Sequence, residues 1–204
     1  MNEENGIQTG VNEKTVNEET GMRINRKVLL YNMILSQAIL FLAGFLFVKF
    51  ITPGRSFFEI FEIRFTGSFL LTFLAGGCLL LGVQFFFLKF ISKDRLKDEI
   101  NRYLMDYFSL PELFLIFFFG ALAEEFLFRG VMQPYFGLCI TAVLFTVIHF
   151  RYLRKIFLLI EVFLMGLILG GSYWITQTIW APVCCHLLVN YMTAILIKKG
   201  YIEY

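Results

Sequence analysis

From residue 28 onward, apolar residues run in blocks long enough to cross a bilayer, and polar residues are confined to the gaps between them. The first block, 28–51, has 24 residues, enough to span a hydrocarbon core about 30 Å thick. Further blocks at 67–91, 113–128, 138–150, 156–174 and 179–197 predict five more helices. Thr52-Pro53-Gly54-Arg55 ends the first, and residues 130–137, with Pro134, predict a break between the third and fourth. Ser109-Leu110-Pro111-Glu112 has the form of a capping box with proline in the first turn, and so marks a helix start. Residues 56–65 mix aromatics with Glu59, Glu62 and Arg64, as an interfacial segment does. Residues 92–108 are charged, yet set Leu96, Ile100, Tyr103, Leu104, Tyr107 and Phe108 at helical spacing, the pattern of an amphipathic helix on a membrane surface. The predicted fold is all-α: a polytopic transmembrane bundle of about six spans plus that interfacial helix. Gly76 and Gly77 offer the second span a close helix contact.

Residues 1–22 differ in kind. Glu3, Glu4, Glu13, Glu18 and Glu19 stand against Lys14, and residues 11–15 are nearly repeated at 16–20. Such a segment cannot bury a core and is expected to be a disordered acidic tail. Residues 23–204 then form a single membrane domain. The basic flank Arg23, Arg26 and Lys27 precedes a run too long for a signal peptide and without a small-residue cleavage site, which predicts an uncleaved first span.

Composition agrees. The chain is 58% hydrophobic with a mean hydropathy of +0.70, well above a soluble domain. A net charge of +2, with no basic stripe among aromatics, argues against nucleic acid as a partner and leaves membrane lipids as the surroundings. Cys78, Cys139, Cys184 and Cys185 lie in apolar runs and read as small buried residues without disulfides. With the N-terminus inside, the inner segments carry 14 basic residues and the outer loops three (Lys49, Arg55, Arg64). Both termini are therefore expected in the cytoplasm.

Polar residues inside the apolar blocks carry the candidate chemistry, because an ionisable group at bilayer depth costs roughly 2.5–3.5 kcal/mol on insertion scales and marks function by default. Glu125 and Arg129 are four apart, so a helix puts them on one face as a pair. Glu124 points about 100° away. Phe145 and His149 repeat the spacing, placing an aromatic under an imidazole, and His186 and Asn190 repeat it again. The two histidines of the chain both fall in spans. A carboxylate beside an imidazole can take a proton from water that attacks a carbonyl, and a second imidazole with an amide can stabilise the oxyanion.

At these residues the chain resembles the CPBP family, which comprises CAAX prenyl endopeptidases of the Ras-converting type and bacterial bacteriocin-processing and self-immunity proteins. The resemblance rests on Glu124-Glu125-x-x-x-Arg129, Phe145-x-x-x-His149 and His186-x-x-x-Asn190. Lesser support comes from Gly130 after Arg129, Gly166-x-x-x-Gly170 and Trp180-Ala181-Pro182; together they cover residues 112–197. It implies a glutamate-type intramembrane endopeptidase in which Glu124 and His149 activate water. His186 and Asn190 would hold the oxyanion, Glu125 and Arg129 would support the site, and Phe145 would pack beside it. The implied substrate is a membrane-associated peptide, or a prenylated or otherwise lipidated protein, and the short chain suggests a bacterial plasma membrane. No cofactor is implied.

Other readings of the same residues stand beside this one. The ion pair could stitch helices together, and the histidines could be satisfied core residues. Zinc could be held by His149, His186 and Glu124. The fold could serve as a non-proteolytic immunity or scaffold protein, or as a small transporter with a carboxylate relay. Glu161, in the fifth span, matches none of the motifs. One tension is explicit: simple charge-based topology puts Glu124 toward the outer side of its span and His149 near the inner end of the next. A shared site requires a broken or shifted helix, or the opposite orientation.

Overall fold

The computed structural model describes residues 25–51 and 56–202. The expected acidic tail at 1–22 and the break at Thr52-Pro53-Gly54-Arg55 lie outside them. Helix α1 (Arg26–Ile51) is followed by a short α2 (Phe57–Ile60), then α3 (Gly67–Phe90), α4 (Lys93–Leu96) and α5 (Glu99–Tyr107). Helix α6 (Leu110–Glu125) runs without interruption into a π-helical stretch, Phe126–Met132, and on into α7 (Gln133–Ile148). A 3-10 turn, Phe150–Tyr152, leads to α8 (Ile156–Thr176) and α9 (Trp180–Lys198).

Five helical stretches among the described residues are long and apolar enough to cross a membrane. Their outer faces carry Ile34, Leu42, Leu71, Leu79 and Ile140, all more than half exposed, which only a lipid environment tolerates in such number. The chain is an all-α integral membrane protein.

One of the five, Leu110–Ile148, is 39 residues long yet is two arms. The Arg129 guanidinium lies 4.5 Å from the centre of the Phe145 ring. A straight helix would hold these residues about 24 Å apart. The reversal occurs at Gly137, whose φ of 73° and ψ of 175° are accessible to glycine alone. The expected break across 130–137 is thus narrower: the chain stays helical through Phe136. Pro134 follows just after the π-helical stretch and is carried within the continuous helix without ending it. The third arm is longer than its apolar block suggests and the fourth shorter.

The single amphipathic helix expected over 92–108 is split into α4 and α5, because Lys97 and Asp98 leave helical geometry (ψ 127° and 113°). Tertiary bonds account for the split. The Lys97 carbonyl accepts from the Lys155 ammonium, and Asp98 is drawn to Arg151, 3.3 Å away. The inner face of α5 packs Leu104 and Met105, with Phe108, on Leu29, Leu113 and Ala194. Helix α6 begins as expected, with the Ser109 N–H donating to the Glu112 carboxylate at 2.8 Å.

Helix α8 packs between α7 and α3, while α9 lies against α3 and α6. A Cβ at Gly76 would come 2.9 Å from Ser172 Oγ, and one at Gly77 2.7 Å from Leu188, so this crossing depends on glycine. Of the cysteines, Cys185 is buried and Cys184 half-buried, but Cys78 and Cys139 are exposed on outward faces. Small apolar residues suit a lipid-facing surface as well as a core, so their burial was not fixed by their neighbours. At the end opposite α5, the Trp180 indole donates to the Phe61 carbonyl at 3.0 Å and Thr178 Oγ1 to that of Glu62 at 3.2 Å.

Candidate active site

Gly137 sets the depth of the candidate residues. In a helical hairpin, residues equidistant from the turn are level. Arg129 and Phe145, each eight residues from Gly137, touch. Glu125 and His149, each twelve away, lie one step further from the turn on their own arms, on the same side of the Arg129–Phe145 contact. The tension between the depths of Glu124 and His149 disappears, because the third arm extends past its apolar block and the fourth starts late.

Glu125 and Arg129 are both fully buried, with Arg129 Nη1 3.1 Å from Glu125 Oε2 and 3.2 Å from Oε1. The second guanidinium nitrogen donates to the Gly166 carbonyl at 3.0 Å, and the phenyl ring of Phe145 covers its face. One helical repeat further, Gln133 Nε2 donates to the Gly170 carbonyl at 2.8 Å. Glu125, Arg129 and Gln133 thus form a polar line spaced by four, anchored on two glycine carbonyls also spaced by four. The spacing of Gln133 was readable in the sequence; its acceptor, a main-chain carbonyl on another helix, was not.

His186 reaches this line from α9. Its Nδ1 lies 2.9 Å from Glu125 Oε1, and its Nε2 lies 4.0 Å from Glu124 Oε2. A carboxylate only accepts, so Nδ1 carries a proton. Two carboxylates, one guanidinium and an imidazole protonated on both nitrogens would balance to zero net charge, the condition under which buried ions are tolerated. Glu124 Oε2 is buried with no hydrogen-bond partner among the described residues. Glu125 Oε2, Arg129 Nε and Gln133 Oε1, along the same polar line, likewise have no hydrogen-bond partner among the described residues.

His149 is held differently. Its Nδ1 lies 2.7 Å from the Phe145 carbonyl, and a carbonyl only accepts. In neutral His149 the proton therefore sits on Nδ1, leaving the Nε2 lone pair as the basic site. Its ring centre lies 4.9 Å from that of Phe145, whose ring is also 6.2 Å from that of His186. The two imidazoles share one phenyl neighbour. The structure bonds His186 to Glu125 and sets it 4.0 Å from Glu124; His149 is linked to this group through the Phe145 ring. Asn190, one turn beyond His186 on α9, is half-buried.

Among the described residues, no three of His, Cys, Asp and Glu are grouped so as to hold a metal ion. Glu161 is 5% exposed, and its Oε1 has no hydrogen-bond partner among the described residues. It stands apart from the line of bonds that runs from Arg129 to His186.

Residues 106–192, which contain every one of these motif residues, match the family model of Type II CAAX prenyl endopeptidase Rce1-like proteins. This segment resembles the Rce1-like family. The match agrees with the CPBP resemblance that the three motifs carry. A curated relative, the uncharacterized protein YpbD of Bacillus subtilis (strain 168), is 34% identical over 104 residues, 51% of this chain and 55% of that protein. The chain thus matches about half the length of this relative. No solved structure matches. The Rce1-like segment begins within α5 and ends within α9, so it takes in both arms of the Gly137 hairpin and all of α8.

Proposed function

We propose that the protein is an intramembrane endopeptidase of the glutamate type, acting on hydrophobic or lipidated peptides at the membrane. The observation that carries this reading is the position of His186. It is bonded to buried Glu125 and lies 4.0 Å from Glu124 Oε2, which has no hydrogen-bond partner among the described residues, while a second histidine is held through its Nδ1 at the Phe145 carbonyl. A purely structural ion pair accounts for Glu125 and Arg129 but for neither Glu124 nor His149.

The chemistry runs as a hydrolysis. Glu124, assisted by His149 Nε2, takes a proton from water, and the hydroxide formed attacks the scissile carbonyl carbon. The carbonyl oxygen becomes an oxyanion that accepts from the Nε2–H of doubly protonated His186 and from the Asn190 amide. The C–N bond then breaks, and the proton held by Glu124 passes to the leaving amine. Glu125 keeps His186 oriented through Nδ1, and Arg129 compensates the Glu125 charge. None of these steps calls on a metal.

The basic residues Arg26, Lys89, Lys97, Arg151, Lys155 and Lys198 lie at helix ends or in loops joined by bonds such as Arg151–Asp98 and Lys155–Lys97. With the positive-inside bias, this supports a cytoplasmic placement of that end, in a bacterial plasma membrane.

The test is cleavage of a fluorogenic peptide panel, farnesylated and unmodified, by detergent-purified protein beside Glu124→Gln, with and without a chelator. Chelator-insensitive cleavage by wild type and none by the variant is expected. Equal turnover by the variant would overturn the assignment, and chelator-sensitive cleavage would restore the zinc reading. A folded wild type that cleaves nothing would favour a non-proteolytic immunity or scaffold role.

A further inference from the structure

We infer that Tyr152 is a positioning residue for His149, anchored by Asp98 and Arg151 so that the surface segment α4–α5 holds the imidazole in one orientation and one tautomer. The catalytic consequence rests on the proposed role of His149 as a base; the orientation itself does not.

His149 is the last residue of the fourth arm, with φ −81° and ψ 43°, and helix ends fray unless tied. At this residue the chain changes period. Before it, α-helical spacing puts Phe145, four residues back, against the ring. After it, the turn is 3-10, in which residues three apart eclipse, and the residue three further on is Tyr152. Its ring lies parallel to the imidazole, 6.0 Å away with planes 14° apart. The Tyr152 N–H also donates to the His149 carbonyl at 2.8 Å. The imidazole therefore has two aromatic neighbours, delivered by two different helical periods.

Tyr152 is itself fixed from outside the span. It is 6% exposed, and its hydroxyl donates to Asp98 Oδ2 at 3.3 Å while accepting from Arg151 Nη2. Arg151 continues to Asp98, 3.3 Å away, and to Asn101 Oδ1 at 3.2 Å, and its guanidinium lies 4.6 Å from the Tyr152 ring centre. Burial pushes the Tyr152 hydroxyl up to about 12, so it stays a donor across the physiological range. The break between α4 and α5 gains a purpose in this arrangement: an Asp98 inside a continuous helix would not be free to turn toward Tyr152.

The test is 15N NMR of the histidine side chains in the full-length protein in micelles, simple here because there are two histidines and His149→Ala assigns them. Wild-type His149 is expected to show a protonated Nδ1 and an unprotonated Nε2 as separate resonances. Tyr152→Ala is expected to average the two, with the His186 signals unmoved in the same spectrum. Tyr152→Phe, which keeps the ring, is expected to restore most of the separation. Asp98→Ala is the milder variant should Tyr152→Ala fold poorly, and averaging of smaller amplitude is expected. In the peptidase assay, Tyr152→Ala is expected to lower kcat about tenfold with KM unchanged. An unchanged His149 signature in both Tyr152→Ala and Asp98→Ala would overturn the inference, as would parallel changes at both histidines. The NMR outcome is independent of turnover, so its failure is distinguishable from failure of the endopeptidase reading.

Discussion

Glu125 Oε1 lies between Arg129 Nη1, 3.2 Å away, and His186 Nδ1, 2.9 Å away. The adjacent carboxylate, Glu124, has no hydrogen-bond partner for its Oε2 among the described residues and lies 4.0 Å from His186 Nε2. Packing thus separates two neighbouring glutamates: Glu125 joins Arg129 to His186, and in the proposed function Glu124 is the one that reacts.

Their substitutions should therefore fail in different ways. Glu125→Gln leaves the Arg129 charge buried without compensation, a loss of about 3–5 kcal/mol, and is expected to reduce accumulation and lower the melting temperature. Glu124→Gln is expected to melt within a few degrees of wild type while losing cleavage. Thermal unfolding in detergent beside peptide turnover separates the two; identical melting of both variants would contradict the division.

Arg129→Lys keeps the charge but not the fork. A single ammonium cannot reach both Glu125 and the Gly166 carbonyl with the geometry of two guanidinium nitrogens, nor stack flat on Phe145. A destabilisation of about 1–3 kcal/mol is expected by denaturant or thermal unfolding.

Gly137→Ala places a side chain where φ is +73° and ψ 175°, at a strain of roughly 1–3 kcal/mol. The turn also sets the level of His149 against Glu125. Turnover of the folded fraction is expected to fall further than stability alone explains, as read by activity per folded molecule.

Tyr152 gives a pH dependence. Its hydroxyl is raised by burial from the usual 10 to about 12, so between these values the folded chain retains a proton that the unfolded chain releases. Stability contributed by the neutral hydroxyl is complete below pH 10 and is lost as pH rises toward 12, by roughly 2–3 kcal/mol. Wild type is expected to lose melting temperature more steeply than Tyr152→Phe across that window.

The membrane arms and the polar residues of the site were legible because a bilayer makes apolar runs long and intramembrane charges conspicuous. The i, i+4 relation of Glu125 and Arg129 needed only helical geometry. What could not be read was where the third arm ends: Gly130 and Pro134 look like stronger punctuation than Gly137, yet the helix continues through both and the reversed torsion is at Gly137. Nor could the sequence pair His186 with Glu125, 61 residues away, since that contact depends on how α9 packs against α6. The division of residues 92–108 was hidden for the same reason, Asp98 and Lys97 being pulled out of helix by partners more than 50 residues distant.

Arg129 and Gln133 are gripped by the carbonyls of Gly166 and Gly170, which every amino acid possesses. Nothing in α8 therefore has to supply a particular functional group to them. What α8 must supply is room: a methyl at 166 would meet Phe145 at 3.3 Å, and one at 170 would run into Leu138 and the Gln133 amide. The identity of this grip is encoded as bulk rather than as chemistry, so a chain could vary most of α8 and keep it, and lose it to a single alanine.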